Sequence, residues 1–101
     1  MLSKEQIRDA QAEEAVQELD VESLGGTLRF RKLKANEVRI CVKTNNSDAR
    51  LIARSVLDEN DEPLFTIAEA DALNADVFGE IGKVIGALNG WDVVEKDLEK
   101  N

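Results

Sequence analysis

The sequence contains no histidine and no tyrosine. Without histidine, neither a Ser-His nor a Cys-His pair can activate a nucleophile, and no metal site can use an imidazole ligand. The chain also has no G-x-x-x-x-G-K-[ST] phosphate loop and no G-x-G-x-x-G motif. Its many carboxylates fall in stretches typical of solvated turns and helix surfaces. We therefore expect a protein that is not an enzyme and that uses no cofactor or metal.

Cysteine and long apolar runs are equally scarce. Cys41 is the only cysteine, so a disulfide within the chain is excluded, and its apolar neighbours are typical of a thiol that packs as a small hydrophobic side chain. No run approaches the roughly 20 apolar residues needed to span a bilayer, and the first residues lack the apolar stretch of a signal peptide. These absences predict a cytoplasmic protein without a membrane partner.

Aromatic side chains are few, and they are Phe30, Phe65, Phe78 and Trp91. Because hydrophobic residues make up 43% of the chain, the core must be mainly aliphatic. A chain of 101 residues fits one domain, since half of it would bury too little core. We predict a single domain over residues 1–101 of the α+β class, mainly α, with a short β-hairpin near residues 21–33.

Charge is distributed unevenly along the chain. Residues 1–24 carry two basic and seven acidic side chains, residues 25–54 carry eight and two, and residues 55–101 carry three and twelve. The basic middle predicts either a nucleic-acid surface or ion pairs with the acidic ends, within one chain or between chains. Phe30 is the only aromatic residue available there for base stacking, which makes nucleic acid the less favoured partner. The nucleic-acid surface would use Arg29, Arg31, Lys32, Lys34, Arg39 and Lys43.

The N-terminal segment predicts a helix over residues 3–19. Ser3 and Gln6 stand in the relation of a capping box, in which each side chain satisfies the backbone N–H of the other. The apolar face of this helix has few large residues, which is typical of a helix that is mobile or that orders only against a partner.

Residues 21–33 predict a β-hairpin. Gly25 and Gly26 favour a two-residue turn with positive φ at both positions. Leu28 and Phe30 then lie on one face, and Arg29 and Arg31 lie on the other. These two arginines form either a solvated basic face or part of a binding surface.

The middle of the chain combines one ambiguous stretch with one clear helix. Within residues 35–45, apolar residues alternate with polar ones in the period of a strand. Ser47 or Asp48 is predicted to cap a helix whose apolar stripe is Ala49, Ile52, Ala53 and Val56.

An acidic turn follows over residues 58–63. It resembles a calcium loop in its acidic spacing, but Pro63 occupies the position that needs a glycine.

Two further helices are predicted after the acidic turn. Thr66 and Glu69 form a second capping box, which opens a short helix through Leu73. Asn74 or Asp76 then caps the best-patterned helix of the chain, and Gly90 is its predicted left-handed cap. The apolar face of that helix consists of Val77, Phe78, Ile81, Val84, Ile85 and Leu88.

A stripe of glycines accompanies this apolar face. Gly79, Gly82 and Gly86 fall at i, i+3 and i+7, although each costs about 1 kcal/mol relative to alanine inside a helix. The stripe predicts either close approach of another backbone or a helix that is merely weak.

Trp91, Val94 and Leu98 form a similar stripe in a final helix. We interpret Trp91 as a cover of the core or as an anchor for a partner.

Four short signatures occur in a fixed order along the chain. They are residues 25–33 (GGTLRFRKL), 50–54 (RLIAR), 58–66 (DENDEPLFT) and 88–90 (LNG). Together they resemble the tail assembly chaperones of long-tailed bacteriophages, over roughly residues 20–101. The family has a helix after its hairpin, so over residues 35–45 both a helix and a strand stay open.

The resemblance implies a homo-oligomeric chaperone. Such a protein binds the tape measure protein, whose exposed apolar stripes would otherwise aggregate, and promotes assembly of the tail tube around it. The implied location is the host cell cytoplasm, with the protein absent from the mature virion. In the family, a longer form made by translational frameshifting often contacts the tail tube protein. A nucleic-acid-associated regulator using residues 29–43 and a structural tail or connector protein are the alternatives.

Overall fold

Five α-helices and a three-stranded antiparallel sheet make up the part of the chain described by the structure, a computed structural model covering residues 1–13 and 15–91. The predicted α+β class, mainly α, is confirmed. None of the described helices is long and apolar enough to cross a membrane. In chain order the elements are α1 (Lys4–Glu13), β1 (Val16–Val21), a 3-10 turn (Glu22–Leu24), β2 (Gly26–Arg31), α2 (Ala35–Val42), α3 (Ser47–Ser55), β3 (Val56–Leu57), α4 (Ile67–Asp71) and α5 (Ala75–Leu88).

The N-terminal helix is shorter than predicted. Its capping box is present, since the Ser3 N–H donates to Gln6 Oε1 at 2.8 Å and the Gln6 N–H donates to Ser3 Oγ at 3.1 Å. The helix ends at Glu13, however, so the prediction of a helix as far as residue 19 is wrong. α1 buries none of its residues, whereas Leu19 is half-buried in β1. Sheet pairing therefore outweighs the weak helical pattern of residues 16–19.

The hairpin also turns differently from the prediction. β1 and β2 pair from Val16 opposite Arg31 to Val21 opposite Gly26. The 3-10 turn and Gly25, at φ 69°, make the connection, while Gly26 already belongs to β2. The predicted two-residue glycine turn is therefore wrong. A single residue in the left-handed region closes the observed turn, so only Gly25 needs the freedom of glycine.

Residues 35–42 form helix α2, so the strand alternative for this stretch is wrong. β2 already pairs with β1 along one edge and with β3 along the other, where Arg29 faces Leu57 and Phe30 faces Val56. The sheet therefore offers β2 no free edge for another partner at these positions. In the helix, Cys41 is buried, while Ile40 and Val42 remain 56% exposed.

Helix α3 follows the predicted apolar stripe. Ala49, Ile52 and Ala53 are buried, and Val56 is buried in β3, directly after the helix ends. The predicted cap is wrong by one or two residues, because Asn46, at φ 59°, takes the N-cap position and its side chain makes no capping bond. Its left-handed backbone conformation is one that asparagine tolerates better than most residues.

The acidic turn is closed by its own first carboxylate. Asp58 Oδ1 accepts hydrogen bonds from the N–H groups of Asn60 at 2.8 Å and Glu62 at 3.0 Å. Leu57 and Pro63 form an antiparallel bridge across the base of the turn. In residues 1–13 and 15–91, no group of three or more His, Cys, Asp or Glu side chains is placed to hold a metal ion.

Helices α4 and α5 agree well with their local signals. The second capping box is present. The Glu69 N–H donates to Thr66 Oγ1 at 3.1 Å, and the Thr66 N–H donates to Glu69 Oε1 at 3.0 Å. Helix α4 ends at Asp71, two residues before the predicted end. Asn74 is at the N-cap of α5 without a side-chain bond. Gly90 takes φ 78°, as its predicted capping role requires.

The core lies between the inner face of the sheet and helices α3 and α5. Phe30 on β2 is fully buried, and Ile52, Ile81 and Ile85 meet it from the two helices. Hydrogen bonds hold α5 against the hairpin and the segment that follows it. Glu80 Oε1 accepts from Ser23 Oγ at 2.6 Å and from the Ser23 N–H at 2.8 Å, and Asn89 Oδ1 accepts from the Leu33 N–H at 2.9 Å. These packed elements position the groove described below.

Candidate binding groove between α2, α3 and α5

An apolar groove of about 590 Å³ separates α5 from α2 and α3. Its described lining comes from α5, from α2 and α3, and from Trp91. The α5 side comprises Phe78, Gly79, Gly82, Lys83, Ile85 and Gly86. The opposite side comprises Val38, Val42, Asp48, Leu51 and Ile52. We call this feature the α5 groove.

The glycine stripe opens the α5 side of this groove. Gly79 and Gly82 are exposed, and a Cβ added to either would have no described atom within 4 Å outside its own helix. Gly86 is buried. No backbone among the described residues therefore approaches Gly79 or Gly82 closely. What the two glycines provide is space, since any larger side chain there would project into the groove.

The α2 and α3 side supplies aliphatic side chains. Val38 and Leu51 are half-buried, and Val42 is 56% exposed although it is apolar. Sequence analysis missed the binding potential of α2, because Val42 was assigned to a possible strand. The available signal was the four-residue spacing of Val38 and Val42, which places them on one face of a helix. Within residues 1–13 and 15–91, the charged residues of the lining are Asp48 and Lys83, of opposite sign.

Trp91 is turned toward the groove by the end of α5. The Trp91 N–H donates to the Gly86 carbonyl at 2.7 Å, and the Gly90 N–H donates to the Ala87 carbonyl at 3.2 Å. With Gly90 at φ 78°, these bonds form a Schellman motif, which reverses the chain after the helix. Trp91 is half-buried, contacts the core cluster and lines the groove. Both interpretations of this residue, as core cover and as anchor, therefore retain support.

The two arginines named as candidate binding residues lie elsewhere, on the outer face of the sheet. Arg29 donates to Asp61 Oδ1 from Nε at 2.9 Å and from Nη2 at 2.5 Å, and its Nη1 lies 3.3 Å from Glu18 Oε1. Glu18 is directly opposite Arg29 in the hairpin, and Asp61 comes from the acidic turn. The basic middle of the chain is thus paired here with carboxylates from both acidic segments.

Arg31 belongs to a second ion-pair cluster. Its Nη1 and Nη2 donate to Glu37 Oε1 and Oε2 at 2.9 and 2.5 Å, and Arg54 Nη1 lies 3.3 Å from Oε2. The Lys34 N–H also donates to Glu37 at 3.1 Å. The Glu37 side chain is only 14% exposed. Hydrogen bonding to Arg31, assisted by the Lys34 amide and Arg54, lowers the pKa of Glu37 from 4.5 to about 2.

A smaller pocket of about 360 Å³ lies on the other side of α2. The buried residues Cys41 and Ala53 and the exposed residues Ile40 and Ile67 contribute to its lining. Arg50 and Arg54 give this pocket a basic side. Sequence analysis did not single it out, because its residues come from α2, α3, the segment before α4 and the first residue of α4, and no local pattern connects them.

Two of the predicted site residues, Val94 and Leu98, lie outside the described residues, as does the predicted final helix. The other six fall into two separate groups. Gly79, Gly82, Gly86 and Trp91 come together in the α5 groove, whereas Arg29 and Arg31 lie in the ion-pair clusters of the sheet.

Comparison with protein-family models, curated proteins and solved structures finds no match for this chain. No relative therefore supplies a function, a ligand or a set of site residues. The physical evidence for a function is the groove itself, with its apolar walls, its glycines and its tryptophan.

Proposed function

We propose that this chain is a non-enzymatic tail assembly chaperone that binds the tape measure protein through the α5 groove. The observation that carries the proposal is the exposed apolar groove whose α5 side is kept open by Gly79 and Gly82. Grooves of this kind bind an amphipathic helix through its apolar stripe. A long helical tape measure protein offers such stripes repeatedly, and they aggregate when uncovered.

Net charge supports the same proposal. The chain carries a formal charge of −8 at pH 7. Several copies bound along one tape measure protein would repel other loaded complexes, which favours solubility. Among the described residues that line the groove, one is acidic and one is basic, so we expect recognition to depend mainly on apolar contacts. The chaperone would then accept many apolar helical segments rather than one defined sequence.

We expect a gene for a long helical protein, the tape measure protein, beside the gene of this chain, and the test is co-expression with that protein. We expect the wild type to keep that protein in the soluble fraction and to co-purify with it. Gly82→Leu should abolish both effects, because an isobutyl group would fill the groove. Gly26→Leu is the matched control, since Gly26 is also exposed with open space around it but lies in β2. Equal solubility with both variants would contradict the proposed binding site.

The remaining features of the proposal concern assembly. The chain would act as a homo-oligomer in the host cytoplasm and leave before the virion matures, while a longer frameshifted form contacts the tail tube protein. Mass spectrometry of purified virions tests this part of the proposal. Stoichiometric retention of the chain would favour a structural tail or connector protein instead.

Regulation through nucleic acid has weaker support. Two of its six proposed cations, Arg29 and Arg31, are held by carboxylates of the same chain. Binding of phosphates would have to displace those carboxylates. Nucleic acid is therefore not among the partners that we propose.

A further inference from the structure

Helix α1 buries none of its ten residues within the described fold. A capping box closes its first turn, yet Ile7 is 45% exposed and Leu2, just before the helix, is 71% exposed. A helix of this length is marginal in water by itself, so contact with another surface would stabilise it. Proteins commonly bind amphipathic helices in this way, with the apolar face of the helix against a groove. Helix α1 is therefore a candidate for docking on another molecule.

The charges of α1 lie in separate strips along the helix. The acidic stripe consists of Glu5, Asp9 and Glu13, which are four residues apart. At about 100° per residue, Ile7 and Ala10 lie beside this stripe, and Lys4 and Arg8 lie beyond Ile7. A surface that binds both the acidic stripe and Ile7 must be apolar with a basic side.

The smaller pocket beside α2, which we call the α2 pocket, has this combination. Ile40 and Ile67 contribute exposed apolar residues to its lining. Arg50 and Arg54 give it a basic side, and both belong to α3. Within residues 1–13 and 15–91, no acidic residue lines the pocket. Its charge is thus opposite to that of the stripe on α1.

The spacing of the charges also matches. Arg50 and Arg54 are one helical turn apart on α3, and Asp9 and Glu13 are one turn apart on α1, so two carboxylates of the stripe can meet two guanidinium groups. Arg50 Nε donates to a backbone carbonyl at 3.2 Å, which is an uncharged acceptor. The Arg54 side chain stays 46% exposed while it contacts Glu37. Both arginines can therefore accept a further carboxylate.

From these observations we propose that α1 of a second copy of this chain docks on the α2 pocket. The acidic stripe faces Arg50 and Arg54, and Ile7 packs against Ile40 and Ile67. The described lining of the pocket includes no residue of its own α1, so we assign the docking helix to another copy. This contact leaves the α5 groove open. It gives the proposed homo-oligomer an interface, but it does not rest on binding of the tape measure protein.

The proposed contact joins two different surfaces. Each copy carries one α1 and one α2 pocket, so each copy can contact two neighbours. Reciprocal exchange of α1 closes a dimer, and a head-to-tail arrangement extends to larger assemblies. Because α1 has ten residues, the interface is small, and we expect a dissociation constant on the order of 100 μM for one contact.

Two substitutions on α2 test which surface mediates self-association. Ile40 and Val42 are both 56% exposed, but Ile40 lines the α2 pocket and Val42 lines the α5 groove. Sedimentation equilibrium of the full chain alone, at up to about 0.5 mM, covers the expected dissociation constant. Ile40→Ser should weaken self-association about tenfold, since it removes a central apolar contact. Val42→Ser is the matched control and should associate as the wild type does.

Three results of this experiment would overturn the proposal. The first is a wild type that stays monomeric over the whole concentration range. The second is equal association of Ile40→Ser and the wild type. The third is a loss of association in Val42→Ser alone, which would assign self-association to the α5 groove.

A mixing experiment tests the pairing of α1 with the pocket. Ile7→Ser damages α1 and leaves the α2 pocket intact, whereas Ile40→Ser damages the pocket and leaves α1 intact. Each variant alone should be largely monomeric, and the mixture should form a dimer through its one intact contact. A mixture that stays as monomeric as its components would contradict the pairing. Circular dichroism of both variants confirms that they are folded.

Charge supplies a further matched pair. Asp9→Lys reverses the middle carboxylate of the stripe and should weaken self-association, because it faces the arginines of α3. Asp20→Lys makes the same change in side chain and net charge on the exposed side of β1, and it should leave association unchanged. Added salt should also weaken the wild-type contact, since exposed ion pairs are screened. Equal association of the two lysine variants would contradict the charged part of the contact.

Co-expression separates this interface from the proposed function. Ile40→Ser should still keep the tape measure protein soluble, because its α5 groove is unchanged, whereas Val42→Ser should bind that protein less well. If neither variant nor the wild type binds the tape measure protein, the proposed function fails. The sedimentation and mixing results would still decide whether α1 docks on the α2 pocket.

Discussion

The outer face of the sheet and the α5 groove use opposite kinds of contact. On the sheet, Arg29 and Arg31 are paired with carboxylates of the same chain. In the groove, apolar side chains such as Val42 stay exposed, and two glycines leave open space beside them. The two arginines are thus paired within the fold, while Val42 stays exposed in the part of the chain that the structure describes. The comparison favours the apolar groove over the two arginines of the sheet as the proposed binding surface.

The largest expected effect comes from Phe30 on the inner face of β2. Phe30→Ala should reduce the free energy of unfolding by about 3–5 kcal/mol, because it removes a fully buried aromatic side chain. Phe78→Ala makes the same change at the half-buried side of the groove. It should cost less stability but weaken partner binding. Urea denaturation measures the loss of stability, and co-purification measures partner binding. Equal losses of stability in Phe30→Ala and Phe78→Ala would contradict the assignment of Phe30 to the core and of Phe78 to the groove.

The next effect concerns Glu37, which joins Arg31 to Arg54. Glu37→Gln should destabilise the protein by about 1–3 kcal/mol at neutral pH, since Arg31 and Arg54 lose their shared charged acceptor. Glu18→Gln is the control, because the Glu18 side chain is 61% exposed and its ion pair is more strongly screened. A larger loss for Glu18→Gln would show that burial does not determine the strength of these pairs.

The same carboxylate predicts a pH dependence. The pKa of Glu37 is about 2 in the folded protein and near 4.5 when unperturbed, so the folded state favours the ionised form. Its contribution is fully present above about pH 4.5 and is lost as the pH falls toward about 2. Thermal denaturation across this range should therefore show a steeper decline for the wild type than for Glu37→Gln. Parallel profiles would indicate that other carboxylates control acid unfolding.

The two predicted capping boxes allow α4, which packs against the core, to be compared with α1, which buries none of its residues. Thr66→Ala should lower global stability by about 1 kcal/mol, because α4 packs Ala70 into the core. Ser3→Ala removes a capping bond of the same kind from α1, which buries no residue, and should leave the global unfolding transition unchanged. Chemical denaturation measures both variants. A matching loss in Ser3→Ala would mean that α1 unfolds with the core.

The smallest expected change in stability is an increase, and it comes from a substitution in the groove. Gly82→Ala should stabilise α5 by up to about 1 kcal/mol, because alanine has the higher helix propensity and its methyl group meets no described atom. Partner binding should fall only slightly, in contrast to Gly82→Leu. Thermal denaturation and co-purification separate the two quantities. A destabilised Gly82→Ala protein would show that a close neighbour occupies the stripe.

Local sequence signals predicted several elements correctly. Both capping boxes depend on side chains three residues apart, and the αL cap at Gly90 depends on glycine alone. The stripes of α3 and α5 also follow from helical spacing within one segment. These features could be predicted correctly because the residues that form them lie close together in the sequence.

Other elements required information from distant parts of the chain. Residues 16–19 join a strand because β2 is available to pair with them, and residues 35–42 form a helix while β1 and β3 occupy the two edges of β2. For the candidate site, periodicity placed Gly79, Gly82 and Gly86 on one stripe, but it could not identify α2 and α3 as the facing wall. It also could not distinguish Arg29 and Arg31 as binding residues from partners of the chain's own carboxylates.

The sequence by itself determined the two predicted capping boxes, the left-handed cap at Gly90, the apolar stripes of α3 and α5, and the α+β class that is mainly α. Only the tertiary structure decided the length of the hairpin, the conformation of α2 and the partners of Arg29 and Arg31. It also decided that the glycine stripe faces a groove. The physical reason is the range of the contacts, because a cap or a stripe needs neighbours within one or two turns, whereas pairing and groove formation need segments that only folding brings together.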